Sequence, residues 1–130
     1  MSYHVYVGKG DKHYVLPLAF KYLSSLFSSK EPNEFNLKNT EHDTFENYIK
    51  FLSNFYDEKS NKYIFPNNVE EAYPYLHPQN YDEFMILSNY LYIPEVLNIC
   101  CSYMIYLIRG KSPKEIRQFM TEQNILQKKN

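Results

Sequence analysis

The hydrophobic period of this chain changes from two to nearly four close to its start, and that change limits the fold more than any other feature. Tyr3-His4-Val5-Tyr6-Val7 alternates in a run of β-formers, and His13-Tyr14-Val15-Leu16 repeats the habit. Gly8-Lys9-Gly10-Asp11-Lys12 between them is turn chemistry, so the opening predicts a β-hairpin that Pro17 ends. Ala19, Tyr22, Leu23, Leu26 and Phe27 then fall at helical spacing and predict a short amphipathic helix stopping in Ser28-Ser29. Glu34-Phe35-Asn36-Leu37 reads as a short third strand. A few strands followed by a run of helices predicts an α+β fold.

The helices carry their own start and stop signals. Thr40 with Asp43 resembles a capping box, followed by Phe45, Tyr48, Ile49, Leu52, Phe55 and Tyr56 at a period of three to four. Residues Asp57 to Gln79 show no period and hold Pro66, Pro74 and Pro78, which predicts a long loop with one helical turn near Val69–Ala72. Asn80 with Glu83 opens a helix through Phe84, Leu87, Tyr90 and Leu91, and Pro94 suits the first turn of the next. That helix carries Val96, Leu97, Cys100, Cys101, Met104, Ile105, Leu107 and Ile108 and stops at Gly110. Apolar around most of its circumference, it is expected to be central and buried. Ser112-Pro113-Lys114-Glu115 is the strongest cap in the chain, and the helix behind it presents Ile116, Phe119 and Met120 on one side, with Ile125 and Leu126 beyond.

Bulk properties exclude several classes. A chain of 130 residues suits one domain, and 44% hydrophobic with 18% aromatic content supplies a core and leaves apolar surface for a partner. Lys+Arg 14 against Asp+Glu 15 lacks the basic field of a nucleic-acid binder. Adjacent Cys100 and Cys101 do not meet ordinary disulfide geometry, which fits a reducing compartment. Met1–Lys12 has no signal-peptide core, and the apolar run Ile99–Ile108 is shorter than the roughly 20 residues a membrane span takes. The expectation is a soluble protein of cytoplasm and nucleus, with no membrane and no nucleic-acid partner.

A search for reactive groups returns no catalytic, cofactor or metal residues. His4, His13, His42 and His77 are scattered, and none is paired at a metal-ligand spacing. Gly8-Lys9-Gly10 precedes a strand, which fits a hairpin turn better than a phosphate loop. Cys100-Cys101 within an apolar helix reads as small core hydrophobes, and Asp82-Glu83 complement a helix dipole. Arg109, Lys111, Lys114 and Arg117 form a basic cluster best read as a solvated helix end. The expected class is therefore a non-catalytic protein. The helix from Ser112 either folds back onto the domain or offers an apolar groove to a partner helix.

Two blocks point further. Leu87-Ser88-Asn89-Tyr90-Leu91-Tyr92-Ile93, then Leu107-Ile108-Arg109-Gly110-Lys111-Ser112-Pro113-Lys114-Glu115-Ile116-Arg117 one helix later, resemble the Skp1 family in content and spacing. With weaker likeness upstream the resemblance covers Tyr3 to Phe119. It implies a BTB/POZ (Skp1-like) fold: a small three-stranded sheet packed on a cluster of helices, with a short C-terminal helical extension. The body would span 1–109, including the 57–79 loop, and the partner-binding extension 110–130. The resemblance further implies an adaptor joining an F-box-type protein to a cullin N-terminal domain in a ubiquitin ligase. Leu107, Ile108, Pro113, Ile116, Phe119 and Met120 match the F-box-binding part, and Asn89 and Tyr90 match positions that contribute to cullin contact. The Elongin C branch lacks the block around Gly110–Arg117. The chain departs from the family in having Trp 0, in a 57–79 loop without an acidic run, and in reaching Asn130 without the acidic final helix. A weak homodimer is compatible with such an adaptor; the alternatives are a BTB/POZ self-association module, a tight homodimer or tetramer, and a cullin-binding decoy without a substrate receptor.

Overall fold

A computed structural model describes residues 2–28 and 33–122. Alternation at the front of the chain becomes a sheet. Strands β1 (Ser2–Val7) and β2 (Lys12–Pro17) pair antiparallel around a turn in which Gly8 takes a φ of +78°, a conformation that suits glycine. Strand β3 (Glu34–Leu37) lies parallel to β1 on its other side, giving the order β2-β1-β3. The pleat buries Tyr3, Val5 and Val7, while His13 and Val15 face outward.

The helix expected over residues 19–27 is broken in two, α1 (Ala19–Leu23) and α2 (Ser25–Ser28). Ser24 between them is extended, with a ψ of 122°. Its buried Oγ accepts the N–H groups of Leu26 and Phe27, both at 3.2 Å, and donates to the Leu91 carbonyl. The expected stripe holds only in part: Phe27 is buried and Leu23 and Leu26 are half-buried, but Tyr22 is exposed and Phe20, outside the stripe, is buried instead.

Helix α3 (His42–Ser53) buries Phe45, Tyr48, Phe51 and Leu52. Its cap position falls to Glu41 without a side-chain hydrogen bond, so the Thr40/Asp43 box does not form, and Phe55 and Tyr56 lie past its end. The stretch expected to be a loop holds a small hairpin, β4 (Tyr56–Asp57) with β5 (Lys62–Tyr63), and a 3-10 helix over Val69–Tyr75. Local polar bonds organise it. The Asp57 carboxylate takes the Ser60 N–H and hydroxyl at 3.1 and 2.6 Å, and Asn68 Oδ1 takes the Glu70 N–H. Such bonds leave no hydrophobic period to read.

Helix α4 (Tyr81–Leu91) ends at Tyr92, which turns left-handed at φ 57° and bonds its N–H to the Asn89 and Ser88 carbonyls. Asn80 stands at the N-cap of α4, yet its side chain accepts from the His77 N–H instead of from the helix. Pro94 opens α5 (Pro94–Ile108) as expected. Tyr48 and Ser88 share a buried hydrogen bond of 2.7 Å that ties α3 to α4. The expectation that α5 is central throughout is corrected: Val96, Ile99, Cys100 and Tyr103 are buried, but Ile105 is 60% and Tyr106 47% exposed. Tyr73 and Tyr81 cover Tyr103 edge-on, and burial along α5 ends there. A final helix, α6 (Pro113–Glu122), follows. The whole is α+β, a small three-stranded sheet with several helices.

Candidate partner-binding surfaces

The end of α5 and all of α6 form one candidate surface. Gly110, at φ +82°, lets the chain leave α5, and Lys111 N–H closes the turn on the Ile108 carbonyl at 3.1 Å. The capping box read from the sequence forms reciprocally. Ser112 N–H donates to Glu115 Oε1 at 2.8 Å, and Glu115 N–H donates to Ser112 Oγ at 3.2 Å. Bonding to Ser112, first from its backbone N–H, holds the Glu115 carboxyl below the usual carboxylate range. This local device fixes where α6 starts; none of its residues is fully buried, and Phe119 is its contact with the rim of the core.

The six residues singled out on this side straddle that turn. Leu107 and Ile108 are half-buried at the end of α5, Pro113 is exposed, and Ile116, Phe119 and Met120 are half-buried on α6. Leu107 and Phe119 pack on the rim of the core. Ile105 and Tyr106, also near the end of α5, are exposed apolar residues where burial is expected. The all-round apolar character of α5 carries their signal, but the same character also fits burial. Arg109 lies over the Tyr106 ring, 5.4 Å from its centroid. Ile125 and Leu126 lie outside the described residues.

The second surface is the outer side of α4. Asn89 and Tyr90 are both exposed, and they sit opposite the buried stripe of Phe84, Leu87 and Leu91. Tyr90 and Ile86, one turn apart, line a groove of about 720 Å³ with Glu83 and the connection from Asn36 to Glu41. Thr44 closes one side by donating to Glu83 Oε2 at 3.3 Å. Ile86, 53% exposed, was missed because it sits outside the α4 stripe used to predict that helix.

Two histidine arrangements correct the view that these residues are isolated. His42 Nδ1 lies 3.1 Å from Asp43 Oδ1 and 3.4 Å from Glu46 Oε2. Glu46 Oε2 also takes Lys12 Nζ and Tyr14 OH, each at 3.1 Å, and these donors hold its carboxyl below the usual range. A cation there would have to displace Lys12 at the positive end of a helix. On the sheet, His4 Nδ1 and His13 Nε2 stand 2.8 Å apart. The cysteines are free, and burial pushes the Cys100 thiol up to about 12, which makes it a poor nucleophile. No described helix is long and apolar enough to cross a membrane. No family model and no curated protein matches the chain.

Proposed function

We propose that the chain is a non-catalytic adaptor of the Skp1 kind, with a BTB/POZ-type body, that joins an F-box-type substrate receptor to a cullin N-terminal domain. The observation that carries this reading is α6: a helix started by a complete capping box, amphipathic, and without a buried residue. A ten-residue helix gains little from propensity alone and takes most of its stability from what covers its apolar side. Ile116, Phe119 and Met120, continued by Leu107 and Ile108, offer that side to a partner helix, the groove mode of recognition. The exposed Asn89-Tyr90 corner with Ile86 is a separate surface for the cullin. The two resembling sequence blocks each fall on one of these surfaces.

The test offers the purified chain an F-box peptide and a cullin N-terminal domain in separate titrations. Binding of both supports the adaptor, and Tyr90→Ala then weakens the cullin arm alone. Binding of the cullin alone turns the assignment to a decoy, and binding of neither overturns it.

A further inference from the structure

The outer face of the sheet carries chemistry that an adaptor does not use. The antiparallel register sets Tyr6 opposite His13 and His4 opposite Val15, so the two histidines are diagonal neighbours on one face. Their rings approach to 5.0 Å between centroids at 18°, and Tyr6 stacks on His13 at 4.6 Å and 9°. The stack holds His13, an exposed side chain, in place over the sheet. At 2.8 Å, His4 Nδ1 and His13 Nε2 share a single proton, one ring donating and the other accepting. With that proton moved to the far nitrogen of its ring, the two lone pairs face one another across 2.8 Å, and a small swing of the rings turns both towards an ion seated beside that line.

We propose that His4 and His13 form a two-imidazole site for a divalent transition-metal ion, with Cu(II) bound ahead of Zn(II). Metal–nitrogen bonds of about 2.0 Å at a right angle place two ligand nitrogens about 2.8–2.9 Å apart, whereas a tetrahedral ion asks for about 3.3 Å. The hydrogen-bonded 2.8 Å matches the tetragonal separation, so Cu(II) and Ni(II) ask the rings to rotate but not to move apart. Glu34 on β3 is the register partner of His4 and is exposed, but its carboxylate does not group with the two imidazole nitrogens, so the protein supplies two ligands. Solvent completes the coordination. The site differs from the His42 cluster in having no lysine in contact with its ligand atoms among the described residues.

The test titrates the untagged full chain near neutral pH with Ni(II), which leaves the thiols unoxidised, and then with Cu(II) and Zn(II). The expected result is one saturable equivalent of Ni(II), with the His4 and His13 ring proton resonances broadening first, and tighter binding of Cu(II) than Zn(II). His13→Ala and His4→Gln should each weaken Ni(II) binding at least about tenfold, because each removes the chelate partner. Thermal unfolding without metal should stay unchanged in His13→Ala, and His42→Ala should bind as the parent does. Saturation only at millimolar metal, or loss of binding in His42→Ala with retention in His13→Ala, overturns the proposal.

Discussion

Helix α5 is one helix in two environments. Its first half sends Val96, Ile99, Cys100 and Tyr103 into the core, where burial lifts the Cys100 thiol to about 12. Its second half leaves Ile105 and Tyr106 exposed and runs into α6, none of whose residues is fully buried. The residue types hardly change along the helix, so hydrophobicity does not separate the halves. What separates them is cover: α4 and the tyrosines Tyr73 and Tyr81 bury the first half through Tyr103, whereas beyond it the Tyr73 ring still meets Tyr106 at 5.1 Å but leaves it exposed. An apolar helix face records that something covers it, and does not say whether that cover belongs to the same chain.

The sharpest way to break this comparison is to hollow the covered half. Phe84 is fully buried on α4 and meets the rings of Tyr48 and Phe51 at 5.6 and 5.4 Å. Phe84→Ala should cost about 3–5 kcal/mol, lost transfer energy plus a cavity, read as a fall in the urea midpoint. A loss under about 1 kcal/mol would mean that the core is not organised around this aromatic cluster.

Alkaline pH attacks the same half through its phenols. Burial pushes Tyr3 and Tyr81 up to about 12 and raises Tyr48 as well. Because the folded values lie above the unfolded value of about 10, this stability is complete below pH of about 10 and lost as pH rises towards about 12. Each buried phenol should lower stability by about 1.4 kcal/mol per pH unit in that window. Tyrosinate absorbance and circular dichroism should then change together in one cooperative step. Free ionisation before unfolding would contradict the burial.

Sequence and structure agree where a local device sets the outcome. The hairpin around Gly8, the short strand at Glu34–Leu37, Pro94 at the start of α5 and the Ser112/Glu115 box all act within a few residues, so the chain displays them. The failures share the opposite cause. Ser24 breaks a periodic helix because its hydroxyl binds Leu91, which lies far away in sequence. The Thr40/Asp43 and Asn80/Glu83 signals look like caps, but Glu41 takes the first cap position and Asn80 turns back to His77. His4 and His13 meet across a strand pair, a relation that spacing along the chain does not display. On the candidate surfaces, Asn89, Tyr90, Pro113 and Ile116 fall in the two sequence blocks and Phe119 and Met120 on the helical face that follows them, whereas Ile86, Ile105 and Tyr106 need the fold to reveal their exposure.

A smaller effect separates a partnered polar group from an unpartnered one inside the covered half. Tyr48→Phe removes the partner of Ser88 Oγ in a fully buried place and should cost about 1–3 kcal/mol. Tyr81 OH, buried without a hydrogen-bond partner among the described residues, is the control: Tyr81→Phe should be neutral or slightly stabilising. Equal losses in the two variants would show that hydrogen bonding does not account for the difference.

The smallest effect on stability should come with the largest on association. Ile116 is half-buried on α6, outside the core and its rim, so Ile116→Asp should change the unfolding free energy by no more than about 1 kcal/mol. The same aspartate, placed where the helix offers its apolar side, would have to be desolvated against a partner helix, which costs several kcal/mol unless it is paired. The F-box peptide should therefore be lost at concentrations that saturate the parent chain, while binding of the cullin domain to the α4 surface persists. A large stability loss in Ile116→Asp would show instead that α6 is packed as tightly as the first half of α5. The exposed apolar residues of the second half would then belong to the fold of this chain and not to a partner.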